Sequence, residues 1–172
     1  MADLTALALA AAAGDRRALA EFVRDSQSDV WRLCRHLGGA AEADDLTQEV
    51  YVRAIRGLSA YRAEASARTW LLSIAQRTCA DHVRRAQRRR LLLGRFRARP
   101  APAHEPGPAV DLDLLVAALD TDRRAAFVLT QLLGLSYREA ADVLGVPVGT
   151  IRSRVARARA DLVTGWDATA SG

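Results

Sequence analysis

The chain contains no lysine: all 25 of its basic side chains are arginine. One absence therefore excludes a P-loop lysine, a Schiff-base lysine and a lysine general base. Cysteine is scarce too. Cys34 and Cys79 lie far apart within helical apolar patterns and read as reduced core thiols, and with His36, His82 and His104 they make no metal-ligand spacing. No metal and no cofactor is expected. No apolar run approaches the roughly 18 residues of a membrane span. The stretch from Met1 to Ala13 carries Asp3 and lacks a basic start, so neither a membrane anchor nor a signal peptide is expected and the chain reads as cytoplasmic. G-x-S-x-G and G-x-G-x-x-G are missing as well, which argues against an enzyme.

What is present points to packed helices. Half of the 172 residues are hydrophobic, ample for a core. Four of the five prolines, Pro100, Pro102, Pro106 and Pro108, fall together between two apolar-periodic halves, which is how a linker reads. The expectation is an all-α chain of two small domains, residues 1–90 and 111–165, joined by a flexible Pro/Arg-rich linker over 91–110. The net charge of +5 is unevenly placed, with eight arginines and no acid between Arg84 and Arg99. Such a run attracts phosphate, or serves only as a solvated segment.

The most informative stretch runs from Ser136 to Leu162, SYREAADVLGVPVGTIRSRVARARADL. Ser136 and Glu139 have capping-box spacing, which predicts a helix start. Gly145 and Pro147 end that helix after Leu144, because glycine tolerates a left-handed cap and proline cannot continue the ladder. Small Ala140 and Ala141 let a second helix cross closely. On that second helix Ile151, Val155, Ala158 and Leu162 make the buried stripe. The opposite face is then determined: Gly149, Ser153, Ala156 and Ala160, rimmed by Arg152 and Arg157. A small centre with arginines at its rim suits a recognition helix, because the major groove admits one helix and arginine pairs bidentately with guanine. A surface hairpin with a solvated arginine face is the plainer alternative.

In the first half, Leu4–Ala13 reads as a short helix ended by Gly14, and Asp15 caps the next. There Leu19, Phe22, Val23, Ser26, Val30, Leu33 and Leu37 trace one face up to Gly38. A further helix spans 41–58, with Thr47, Val50, Tyr51, Ala54 and Leu58 inward and Asp45, Gln48, Glu49 and Arg53 outward, Asp44 lying close by. That acidic, amide-bearing patch suits a basic protein partner, or is a solvated helix start favoured by the helix dipole. Asp44 and Asp45 do not form a catalytic pair, since adjacent helical residues point about 100° apart. Tyr61–Ser66 is a short polar break, and a helix resumes over Thr69–Ala86 with Leu71, Ile74, Ala75, Thr78 and Val83 inward. Trp70, at the start of that helix, either packs into the core or stacks on an unpaired base, or does both. Arg77, Arg84, Arg85 and Arg88 point toward the basic run and suit a phosphate backbone.

With DDLTQEVYVRAI at 44–55, YRAEASARTWLLSIAQRTCADHVRR at 61–85 and GLSYREAADVLGVPVGTIRSRVARARADL at 134–162, the chain resembles the extracytoplasmic-function sigma factors of the bacterial sigma-70 family. Any one motif is weak, but the three in this order are specific. The resemblance implies an alternative sigma factor that binds core RNA polymerase and directs promoter-specific initiation without hydrolysing anything. It assigns Asp44, Asp45, Gln48, Glu49 and Ile55 to the clamp helices of the largest polymerase subunit. It assigns Tyr61, Arg62, Ser66, Arg68, Trp70 and Arg77 to capture and melting of the −10 element. Thr150, Arg152, Ser153, Arg154, Ala156 and Arg157 fall to the −35 element. An anti-sigma factor is a further partner the family allows. The alternative is a stand-alone helix-turn-helix regulator that needs no polymerase of its own.

Overall fold

The computed structural model describes residues 3–93 and 112–170. Residues 91–93, expected to open the flexible linker, instead close the fourth helix, and the rest of the proline-rich linker, with Arg95, Arg97, Arg99 and His104, lies outside the described residues. Among the described residues eight α-helices follow one another: α1 (Leu4–Ala12), α2 (Arg16–Gly38), α3 (Ala43–Gly57), α4 (Ala67–Leu93), α5 (Leu112–Ala118), α6 (Thr121–Phe127), α7 (Tyr137–Leu144) and α8 (Val148–Ala170). A 3₁₀ turn at Leu58–Ala60 follows α3, and a π turn at Val128–Leu132 follows α6. Among the described residues there is no strand, as expected of an all-α chain.

Caps set several helix starts. Asp3 accepts from the Thr5 amide at 2.9 Å, and Asp15 from Arg17 and Ala18 at 2.8 and 3.1 Å. Each takes up amides that have no partner within their own helix. At about 1.5 Å per residue, α2 is long enough to cross the first module, and it packs against α1, α3 and α4. Phe22, Val30 and Leu33 are buried there, as the periodicity predicts. Ser26 is buried on the same face and shares a 2.8 Å hydrogen bond with the Tyr51 hydroxyl of α3; burial pushes the Tyr51 pKa up to about 12. At the end of α2, a Cβ on Gly38 would collide with the buried Leu46 side chain, so glycine here lets α3 approach closely without displacing it. Cys34 and Cys79 are buried free thiols, and the neighbouring Cys34 together with burial pushes the Cys79 pKa up.

Helix α4 departs from its sequence reading at both ends. It begins at Ala67 rather than Thr69, because Ser66 serves as its cap, accepting from the Thr69 amide at 3.1 Å. It also runs on to Leu93, well into the basic stretch, since arginine and leucine are good helix formers. Ala67, Thr69, Leu71, Leu72, Ala75, Thr78 and Cys79 are buried along it, whereas Ile74 and Val83 are half-buried.

The second module packs α8 across α6 and α7, with Phe127, Leu129, Val143, Ile151 and Val155 buried. The two modules meet. Helix α7 lies against α4, and α2 touches α5, α6 and the π turn. Polar ties cross the junction as well: Arg68 donates to the Leu133 carbonyl at 2.6 Å, and Arg35 pairs with Asp113.

Candidate nucleic-acid interface and acidic face

The hairpin of α7 and α8 is built as its residues predict. Ser136 and Glu139 form a complete capping box: the Glu139 amide donates to Ser136 Oγ at 3.2 Å and the Ser136 amide to Glu139 Oε2 at 2.8 Å. Gly145 closes α7 in the left-handed region at φ 64°. On α8, Ile151, Val155 and Ala158 are buried and Leu162 half-buried, while Gly149, Arg152, Ser153, Ala156, Arg157 and Ala160 are exposed. Thr150 is half-buried beside them. The outward face is therefore shallow at its centre and cationic at its edges.

Two of the predicted groove residues differ in kind. Arg157 stands in solvent, but the Arg154 side chain is only 22% exposed and forms an ion pair with Asp122 at the start of α6. Arg154 thus ties α8 to its own module, as Arg159 does through Gln131 at 2.7 Å. Hydrogen bonds from the Ser136 side chain and amide hold the Glu139 carboxyl below the usual carboxylate range. A depressed carboxylate contributes stability above its unfolded pKa and loses it as pH falls through the folded one. Ser136→Ala is accordingly expected to cost about 1 kcal/mol at neutral pH. That corresponds to roughly 2–4 °C in Tm for a chain of this size, and the deficit should narrow as Glu139 protonates. Paired thermal melts at pH 7 and below pH 4 check this.

On α3 the acidic residues separate by their partners. Trp31 Nε1 donates to Asp44 Oδ1 at 2.8 Å, and Arg35 lies 5.5 Å from the Trp31 ring centre. Glu49 pairs with Arg53, which reaches Asp81 on α4 at 3.2 Å. Asp45 and Gln48 are exposed, as is Ile55, next to Val52. The outward face of α3 therefore offers a carboxylate, an amide and two aliphatic side chains.

The loop after the 3₁₀ turn borders an open pocket of about 300 Å³ whose lining includes Tyr61, Arg62, Thr69, Trp70, Arg77 and Asp142. Tyr61 is buried, packs 5.0 Å from the Trp70 ring and donates to the Ala65 carbonyl at 2.7 Å. Trp70 is half-buried, so it both packs and keeps an open face. Ser66 is spent as the α4 cap. Ala63 adopts φ 57°, a left-handed conformation that alanine seldom takes. An aromatic wall with hydroxyls and two guanidiniums at its edge suits an unstacked base and its phosphates. Asp142 comes from α7, so the second module contributes a carboxylate to the wall of this pocket. Arg68 is engaged as well, pairing with Asp29 at 2.7 Å besides its bond to Leu133. Neither Asp142 nor Asp29 was marked by any local pattern, because both matter only through contacts between distant helices.

Comparison with known proteins places both modules. Residues 22–89 match the model of sigma-70 region 2 and residues 109–162 that of sigma-70 region 4. The chain is 51% identical over 164 residues to "ECF RNA polymerase sigma factor SigC" of Mycobacterium tuberculosis, covering 91% of this chain and 87% of that one. It resembles the structure of CnrH in complex with the cytosolic domain of CnrY, with a TM-score of 0.75, 30% identity and 96% and 97% coverage of the two chains. The sigma factor RpoE in complex with the anti-sigma factor NepR from Bartonella quintana shares the fold at a TM-score of 0.73 and 23% identity, over 84% of this chain and 93% of that one.

Proposed function

As the chain belongs to the extracytoplasmic-function sigma factors of the sigma-70 family, we propose that α1–α4 dock on core RNA polymerase and open the −10 element while α5–α8 read the −35 element. The protein is an alternative sigma factor directing transcription initiation. It acts in the cytoplasm and is no enzyme; strand opening is driven by binding alone. Asp45 and Gln48, with Ile55, meet the clamp helices of the largest subunit, and Asp44 and Glu49 support that face through Trp31 and Arg53. Trp70, Arg62 and Arg77 hold the extruded −10 base and its phosphates, offsetting an unstacking cost of a few kcal/mol. Arg152, Ser153, Ala156 and Arg157 face the −35 groove, where each good base pairing is worth about 1–3 kcal/mol. Among the described residues no helix is long and apolar enough to cross a membrane.

The packed arrangement is a closed state on this reading. By their numbering the two promoter elements lie about 25 base pairs apart, or ~85 Å at 3.4 Å per pair. A compact chain of this length has a radius of gyration of only about 16 Å. The modules must therefore part, and the covalent length of residues 94–111, up to about 60 Å when extended, permits it. An anti-sigma protein is the partner expected to hold or rearrange this state; CnrH, similar in fold at 30% identity, is itself seen bound to the cytosolic domain of CnrY.

The observation that supports the proposal is the separation of unlike charge onto two faces: exposed carboxylate and amide on α3, exposed arginines around a small-residue face on α8. The test is selection of promoter sequences transcribed by core polymerase with this chain as the sole sigma factor. Transcripts should start downstream of a common −10 and −35 pair. A stand-alone regulator would yield none, and that result would refute the assignment.

A further inference from the structure

Helix α1 precedes residue 22, where the region 2 match begins, yet it touches the segment on which −10 capture depends. Its Ala8 is fully buried, and it packs on α2, on the 3₁₀ turn Leu58–Ala60 and on the start of α4. The first amides of α4, like those of any helix, lack intrahelical acceptors. Ser66 serves one of them, its side chain accepting from the Thr69 amide, while its carbonyl takes the Trp70 amide as the first regular bond of the helix. The amide of Ala67 goes elsewhere: it donates to Thr5 Oγ1 of α1 at 3.1 Å, across 62 residues of sequence. Ala67 is fully buried, so without Thr5 this N–H has no water to turn to. Thr5 is itself held, since its own amide is capped by Asp3.

We propose that Thr5 is a positioning residue for promoter opening, fixing the junction between the Tyr61–Ser66 loop and α4 so that Trp70 and Arg62 meet the extruded base in a set geometry. This rests on the reading of that loop as the −10 capture segment. The loop has few anchors of its own. Tyr61 bonds within it, Arg62 Nη1 bonds back to the Ser59 carbonyl at 2.8 Å, and Ala63 is strained at φ 57°. Its amino-terminal end leaves the 3₁₀ turn that α1 covers, and its carboxy-terminal end is Ser66, one residue before the amide that Thr5 holds. One short helix therefore pins both ends. A loop so held loses less freedom when it closes on a base, and the benefit falls on strand opening rather than on polymerase docking, which uses α3.

The test uses the full chain with Thr5→Val, which keeps the shape and deletes the acceptor, and Thr5→Ser, which keeps the acceptor. Amide hydrogen exchange of residues 62–70 in the free protein should quicken at least fivefold in T5V, stay near wild type in T5S, and remain unchanged in α3 and α8. With core polymerase, T5V should yield about fivefold fewer transcripts from a duplex promoter. On the same promoter with a mismatched, already open −10 segment it should nearly match wild type. T5S should restore the duplex yield. Unchanged exchange overturns the proposal, as does an unchanged duplex yield, and so does an equal loss on both templates, which would mark a general fold defect. Should the wild type transcribe neither template, the capture reading itself fails and the role in opening falls with it, while the exchange data still report whether Thr5 orders the loop.

Discussion

Asp45→Arg is expected to weaken binding to core polymerase at least a hundredfold while leaving the fold and −35 binding intact. Asp45 lies on the outward face of α3 and is exposed, and reversing its charge in the first turn, where the helix dipole favours an acid, costs stability on the order of 1 kcal/mol without unfolding the chain. Its neighbours are committed elsewhere, Asp44 to the Trp31 indole and Glu49 to Arg53. Reversing its sign sets a guanidinium against a basic partner, and like charges brought together at an interface cost several kcal/mol. At 1.4 kcal/mol per tenfold, about 2.8 kcal/mol suffices for the stated loss. Titration of labelled protein with core enzyme at two ionic strengths measures it, and the deficit should shrink at higher salt as screening sets in. Equal affinities for wild type and variant would remove α3 from the docking surface. Asp44→Asn should do much less, because an amide oxygen still accepts from Trp31.

Arg157→Glu should lower affinity for −35 duplex by about a hundredfold and abolish discrimination between intact and altered −35 elements. Removing the arginine forfeits roughly 1–3 kcal/mol of base pairing, and the new carboxylate faces phosphates. Arg154→Ala provides the contrast. Its guanidinium is paired with Asp122, so its loss should change stability by at most about 1 kcal/mol and barely alter the salt dependence of DNA binding. Fluorescence titrations across a salt series separate the two, because each lost phosphate contact lowers the slope by about one. If Arg154→Ala were the more damaging change, the face of α8 assigned to DNA would be wrong.

Features that depend on residues within a turn or two of one another were legible in the sequence. The Ser136–Glu139 box, the Gly145 stop, the inward stripes of α2 and α3, and the small outward face of α8 all follow from spacing alone. Residues three or four apart share a helix face whatever surrounds them. The basic run, by contrast, was read as charge when its first part is also helix, since arginine and leucine satisfy helix propensity and phosphate attraction alike. What tertiary structure alone decided is how groups distant in sequence are paired. It set Asp44 on Trp31, Arg154 on Asp122, Arg68 on the Leu133 carbonyl and Thr5 on the Ala67 amide. It also laid α7 over the pocket beside Trp70. Such pairings depend on how whole helices pack, and helix packing is settled by the shapes of buried faces rather than by any local pattern.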